Sequence, residues 1–516
     1  MAQDMFISSI AKIYGAAKES GDGDRCCMPP SPELQERIRA QLETLRAAAA
    51  AGLGAGIARG LTFGENRRVG LNDGLIVPGT ELPLGAPPSI ARAVAAQRDQ
   101  RLVGKVNVAV VLVEFADRKL THTKKQFEDL FFSTGVVPTG SVREYYSEAT
   151  RKQITISGSV IGPYTMPMKI SEYAGSGSGM QLQAPNARTL AKDAALAADP
   201  NINFADYDND HDGFVDAFVI VHAGRGAEET GAAGDIWSHK WVLEGGAMAV
   251  DGSKVYAYLT VPEDAKLGVC AHELGHLLFG FPDLYDTDYS SNGIGNWCLM
   301  AGGSWLGGGD KPAHPSAWCK CQQGWTTPVN VTANGKQTIT DVKSSQKVLR
   351  LWRNGTAGKE YFLVEHRGRT GDDALLPGGG LLVWHIDDAV EGTTNETHPR
   401  VRLLQADGRD DLGLNQNRGD AGDPYPGNGN NLSLGADTVP NTRFYGKIDT
   451  LVSLTGIVGS PGATTAMVTV RAAAKKAPAK VPTKAKKPAP RTAGGASKAK
   501  RTSPGRAKPK KRAARR

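Results

Sequence analysis

The chain is short of the features that sort proteins into special classes. Its six cysteines (Cys26, Cys27, Cys270, Cys298, Cys319 and Cys321) form no CxxC pair among 516 residues. That excludes a disulfide scaffold and argues against a second, structural zinc site. No stretch approaches the ~18 uncharged apolar residues of a membrane span. The opening MAQDMFISSIAKIYGAAKESGDGD lacks a basic start and a long apolar run. No secretory signal is therefore recognisable, and the default expectation is cytoplasmic, with export by another route left open. Acidic and aromatic residues are both missing from Ala472–Arg516, where 17 Lys and Arg stand among Pro, Ala and Ser. Such a segment has nothing with which to build a core, so disorder is expected for 472–516.

That tail also makes the net charge of +8 misleading, because without it 44 basic residues face 53 acidic ones. The body is acidic. With 40% hydrophobic and 22% charged residues, it is globular, and its length suggests two or three domains.

The first hundred residues hold one clear helix, SPELQERIRAQLETLRAAAA, with Ser31 as N-cap and Pro32 in its first turn. A Gly/Pro-rich stretch around LIVPGTELPLGAPPS follows, then a short helical piece near 90–101. Together 1–100 reads as an N-terminal, pro-region-like appendage. From 101 to 325 continuous apolar runs (KVNVAVVLVEFAD, DAFVIVHAG) alternate with helical patterns such as SVREYYSEAT. This alternation predicts an α/β domain whose strands are buried on both faces. From 326 to 471 the pattern turns to short alternating strands separated by Gly, Asn and Asp. EYFLVEHR, GLLVWHID and AMVTVR are examples, and they predict a β-sandwich-like domain.

The chemistry concentrates in CAHELGHLLFGFPDLYD. His272 and His276 are four residues apart, so on a helix both imidazoles leave one face and can hold one zinc. Glu273 beside them is the expected general base for a zinc-bound water. Thr260, Pro262 and Glu263 read as a capping box opening this helix. Gly280 and Pro282 end it abruptly and turn the chain back. Asp283 or Asp286 can then complete the metal site.

HELGH followed by glycine and PDLYD resembles the immune inhibitor A family of zinc metallopeptidases, which are metzincin-like. VNVAVVLVEFAD, SVREYYSEAT, VIVHAGRGAEET, IWSHKW, EYFLVEHR, GLLVWHID and GDAGDPYPG extend the resemblance over roughly 102–471. It implies an α/β zincin-type catalytic domain that hydrolyses protein or peptide substrates, with Asp283 as third zinc ligand and Asp286 as runner-up. It also implies a methionine turn at Met300 under the site, and dependence on calcium. In the family the glycine stands third after the second histidine and the aspartate sixth. Here Phe279 intervenes, so Gly280 is fourth and Asp283 seventh.

A second motif, DNDHDGFVD, puts Asp208, Asp210 and Asp212 at alternate positions, then Gly213 and Asp216. Oxygen ligands at loop positions 1, 3, 5 and 9 with glycine at 6 suit a structural calcium, although Val219 replaces the glutamate of a full EF-hand. Fainter signals are His222 after a buried strand, Glu228 and Glu229 as helpers of calcium or substrate, and His385 in the sandwich. Asp420 and Asp423 are candidates for a further cation, and Cys26 or Cys27 for a thiolate that holds the zinc site latent. The tail suits non-specific contact with nucleic acid or another polyanion. The expectation is a zinc metalloendopeptidase. Its rivals are a catalytically decayed peptidase fold that only binds, and a polyanion-binding protein acting through the tail.

Overall fold

The computed structural model describes residues 26–50, 101–390 and 393–472. The Gly/Pro-rich stretch, the helical piece expected near 90–100 and the basic tail beyond Ala472 lie outside the described residues.

The first half is built on one mixed sheet. Its strands are β1 (Cys26–Cys27), β2 (Gly104–Glu114), β3 (Ile154–Thr165), β4 (Phe218–His222), β5 (His239–Val242) and, after the small hairpin β6 (Met248–Val250) and β7 (Ser253–Val255), β8 (Ala257–Pro262). They lie in the order β1-β5-β8-β4-β2-β3. The four strands β8, β4, β2 and β3 run parallel, whereas β5 runs antiparallel to β8, and β1 antiparallel to β5. β4 and β8 are buried at every residue and β2 over most of its length, as expected for strands covered on both faces. Helices Lys124–Phe132 and Val142–Ala149 connect β2 to β3, each opened by a complete capping box on Thr123 and Ser141. The N-terminal helix runs Pro32–Ala50, and Ser31 Oγ accepts from the Leu34 amide at 3.3 Å.

The second half is almost all strand. β9 (Val329–Val331), β11 (Leu349–Leu351), β12 (Glu360–Arg367), β13 (Gly380–Asp387) and β14 (Val401–Leu403) make a five-stranded sheet. β10 (Gly335–Thr340), β15 (Ser433–Leu434), β16 (Ser453–Ser460) and β17 (Ala463–Thr469) make a four-stranded one. Phe362 and Val383 from the first pack with Ile339, Leu454 and Val468 from the second in one buried cluster. The other face of β12 and β13, with Leu363 and Trp384, belongs to the main core that surrounds the helix Leu267–Phe279. The change at Trp325 is thus a change of secondary structure without a gap in packing.

Phe279, just before the reversal, anchors the end of the helix within the first half of the chain. Phe279 is the last residue of its helix and is 2% exposed. Its ring meets Trp325 at 4.8 Å, Tyr146 at 5.1 Å and Phe281 at 5.8 Å between centroids. Phe279 is an aromatic anchor that fixes the chain beyond it. Phe279→Ala is expected to cost about 3–5 kcal/mol, read as a lower urea midpoint with an unchanged slope.

Candidate metal centre

The helix Leu267–Phe279 is buried along its whole length, so no face of it is free to be a polar surface. Its start differs from the sequence expectation. Thr260 and Pro262 belong to β8, where pairing with β4 and β5 outweighs local capping chemistry, and the N-cap is Lys266, without a side-chain cap. Glu263 clamps a neighbouring loop instead. It accepts from the Thr121 amide (2.6 Å) and hydroxyl (2.8 Å), the His122 amide (3.2 Å) and the Gly224 amide (2.9 Å). The helix end agrees with expectation. Gly280 takes φ 59°, ψ 26° and its amide returns to Gly275 O and His276 O, the left-handed C-cap that favours glycine.

That reversal carries Asp283 back beneath the histidines. His272 Nε2 and His276 Nε2 are 2.9 Å apart, and Asp283 Oδ1 is 3.2 Å from each. His272 Nδ1 donates to Leu299 O at 3.0 Å and His276 Nδ1 donates to Phe281 O. A carbonyl can only accept, so both Nδ1 atoms carry the proton and both Nε2 lone pairs point at the carboxylate. Three electron-rich atoms facing one another in a dry interior repel unless a cation lies between them. A tetrahedral zinc with bonds of ~2.0–2.1 Å sets its donors about 3.3 Å apart, so the donor set fits that metal. Burial lowers the His276 pKa and keeps it neutral, the ligating form.

Glu273 is fully buried and neither of its oxygens accepts a hydrogen bond of ordinary geometry, the Met28 amide being the main-chain donor that lies towards it. Burial, then Asp283 and Glu228, push its carboxyl well above the usual range. A buried carboxylate so placed next to the ligand cluster is the arrangement of a group held ready to accept a proton. Below the helix, Met300 is fully buried, and a Cβ on Gly275 would stand 2.8 Å from its Sδ. A larger residue in place of the glycine of HELGH would therefore have to push the Met300 side chain aside.

Asp286 is not brought to the histidines. Its Oδ2 accepts from the Ser291 amide (2.8 Å) and Ser290 Oγ (2.9 Å), and it clusters with Asp288 and Glu396. Glu396, far along the chain, carries no local signal that would have found this cluster from sequence. The acidic loop brings Asp208, Asp210 and Asp216 together, their oxygens within 4.8 Å of one another. Asp212 Oδ1 accepts from the Phe214 amide, while its own amide donates to Asp208 and Asp210. Burial, then Asp210, push Asp216 well up.

The fainter candidates fall out differently. His222 Nδ1 donates to Ala223 O, and the ring is fully buried. Glu228 accepts from the Ser238 amide and hydroxyl, and burial pushes it up to about 7. Glu229 is half-buried with Arg225 nearby. His385 bonds Glu360 and stacks on Tyr445 at 4.3 Å. Asp423 accepts from Trp297 Nε1 and Gln405 Nε2, and Asp420 from Asn417 and Arg409. Cys26 lies at the metal centre itself, with its sulfur, a His276 nitrogen and an Asp283 oxygen within 4.8 Å of one another.

Comparisons with known proteins agree with this geometry. Residues 98–327 match the family model described as immune inhibitor A peptidase M6, catalytic domain. Among curated relatives, pre-pro-metalloprotease PrtV of Vibrio cholerae serotype O1 is 35% identical over 289 residues, covering 45% of this chain and 31% of that protein. Immune inhibitor A of Bacillus thuringiensis subsp. alesti is 33% identical over 272 residues, covering 43% of this chain and 39% of that protein. The chain thus spans about a third of the length of the curated relatives it matches.

The Glu263 clamp predicts an acid-sensitive loop. Burial raises the carboxyl, but hydrogen bonds from Gly224, Thr121 and His122 outweigh it and bring it from 4.5 to about 2. A depressed pKa stabilises the fold above the ordinary value, and that contribution is lost as pH falls from about 4.5 to about 2. In urea titrations across this window, the excess stability of the native chain over Glu263→Gln should shrink towards zero.

Proposed function

We propose, from the match of residues 98–327 to the immune inhibitor A peptidase M6 family model, that the chain is a zinc-dependent metalloendopeptidase acting on protein or peptide substrates. The observation that carries this reading is the convergence of His272 Nε2, His276 Nε2 and Asp283 Oδ1 beside the buried Glu273 carboxylate. Residue by residue, His272, His276 and Asp283 hold the metal, Glu273 is the general base, and Met300 supports the floor. When bound, zinc supplies a Lewis acid that polarises the scissile carbonyl and acidifies water.

The chain's own groups do the rest. Leu299 O and Phe281 O fix the tautomer of both histidines and orient their rings. Glu273 takes the proton of the attacking water and passes it to the leaving amine nitrogen. The dry setting that raises its pKa also favours the protonated form needed for the second step. Asp286 belongs to a separate acidic cluster.

Calcium is assigned to the loop Asp208–Asp216 as a brace rather than a reactant. Support comes from the convergence of Asp208, Asp210 and Asp216 ahead of β4, the strand whose register with β8 sets the site helix. The architecture is read as a metzincin-like catalytic domain over 101–325 followed by a β-sandwich over 326–471, on the shared core of the two later sheets. Polyanion contact through 472–516 is a second, additive function suggested by its composition. It is tested by deleting the tail and following nucleic-acid retention against salt. Among the described residues no helix is long and apolar enough to cross a membrane.

Glu273→Ala should keep stoichiometric zinc and lose casein hydrolysis by about 100- to 10,000-fold. Zinc without any Glu273-dependent cleavage would favour the decayed, binding-only alternative. Asp283→Asn should lose zinc on dialysis, while Asp286→Asn should retain it. Asp216→Asn should abolish the rise in melting temperature that calcium gives the native chain.

A further inference from the structure

Every group of the metal centre is closed to solvent. His272 and Glu273 are 0% exposed, His276 1% and Asp283 3%. A polypeptide cannot reach a carboxylate and a metal in that state, so something the chain itself contributes must cover them. The cover is the segment just before the N-terminal helix.

β1 pairs antiparallel with β5, setting Cys26 opposite Lys240 and Cys27 opposite His239. The pairing continues past the strand, with the Met28 amide donating to Ser238 O at 3.1 Å. Three side chains from the site's surroundings then fasten successive carbonyls of the segment. Tyr285 OH donates to Cys27 O at 3.0 Å, Trp237 Nε1 to Met28 O at 2.8 Å, and Trp305 Nε1 to Pro29 O at 2.9 Å. These donors come from three separate parts of the chain and meet only here. Beyond them, Leu34, Ile38 and Leu42 of the helix Pro32–Ala50 are buried in the main core. The segment is an extended peptide laid on a sheet edge, held through its main chain. That is how a strand-adding peptide binds.

Within this peptide one side chain enters the metal centre. Cys26 Sγ, a His276 ring nitrogen and an Asp283 carboxylate oxygen all fall within 4.8 Å of one another, and Cys26 is 5% exposed. A zinc held by His272, His276 and Asp283 has one position left, and a thiolate at ~2.3 Å is among the strongest ligands for it. Resting on the zinc-peptidase reading, we infer that Cys26 is the fourth zinc ligand of an autoinhibited form, and that residues 26–28 fill the β5 edge where a substrate strand would pair. The thiol gives its proton to solvent as it binds the metal. Displacing or cleaving away the segment frees both the fourth position and the sheet edge in one event. The same three indole and phenol donors are then exposed to the backbone of whatever strand replaces it.

The test uses the full chain, freed of metal and reloaded with cobalt(II), because a cobalt–thiolate bond gives a near-ultraviolet charge-transfer band that nitrogen and oxygen ligands do not. The native chain should show the band, Cys26→Ser should lose it, and Cys27→Ser should keep it. Intact Cys26→Ser, loaded with zinc, should also cleave casein about tenfold faster or more than the intact native chain, as expected when a mostly closed population opens. The native spectrum needs no substitution, so a variant that fails to fold leaves the test standing. Cobalt bound by the native chain without the sulfur band overturns the role of Cys26 and leaves the peptidase reading intact. Failure of the native chain to bind cobalt or zinc at all overturns the peptidase reading itself.

Discussion

The structure depends on the reversal at Gly280. A helix can present two histidines to one metal, but it cannot supply a third donor from the same face without leaving the helical path. The left-handed Gly280, the return of its amide to the last turn and the Phe279 ring wedged against Trp325 and Tyr146 together place Asp283 Oδ1 3.2 Å from both imidazoles. Everything else supports that placement. Met300 meets the helix at its glycine, Leu299 O and Phe281 O orient the rings, and β8 sets the strand that leads into the helix.

The cost of this arrangement is electrostatic. Two lone pairs, a carboxylate and the Glu273 carboxyl share a dry space without a protein hydrogen bond of ordinary geometry to neutralise them. In such surroundings an uncompensated charge is strongly disfavoured, which is the physical ground for the proposed metal there. The proposed calcium at Asp208–Asp216 rests on the same reasoning applied to oxygen donors, ahead of β4.

Much of this was legible in the sequence because it is local. The apolar runs of β2, β4 and β13, the helix Val142–Ala149 and the pair His272/His276 are encoded by periodicity and spacing over a few residues. The choice between Asp283 and Asp286 was not, because it turns on how the chain is anchored at Phe279, and that involves Tyr146 and Trp325, which are remote in sequence. The same reason explains Glu263. Its spacing from Thr260 mimics a capping box, but tertiary pairing takes Thr260 into a strand and gives the carboxylate to Thr121, His122 and Gly224. The cover over the site and the Asp286–Asp288–Glu396 cluster join segments far apart in sequence, and no local pattern marks them.

The most direct test of the account is the anomalous difference map of a zinc-loaded crystal, recorded on both sides of the zinc absorption edge. The account predicts one strong peak about 2 Å from His272 Nε2, His276 Nε2 and an Asp283 oxygen alike. A peak at Asp286 and Asp288 with the histidine pair empty, or no peak in the helix region, would contradict it.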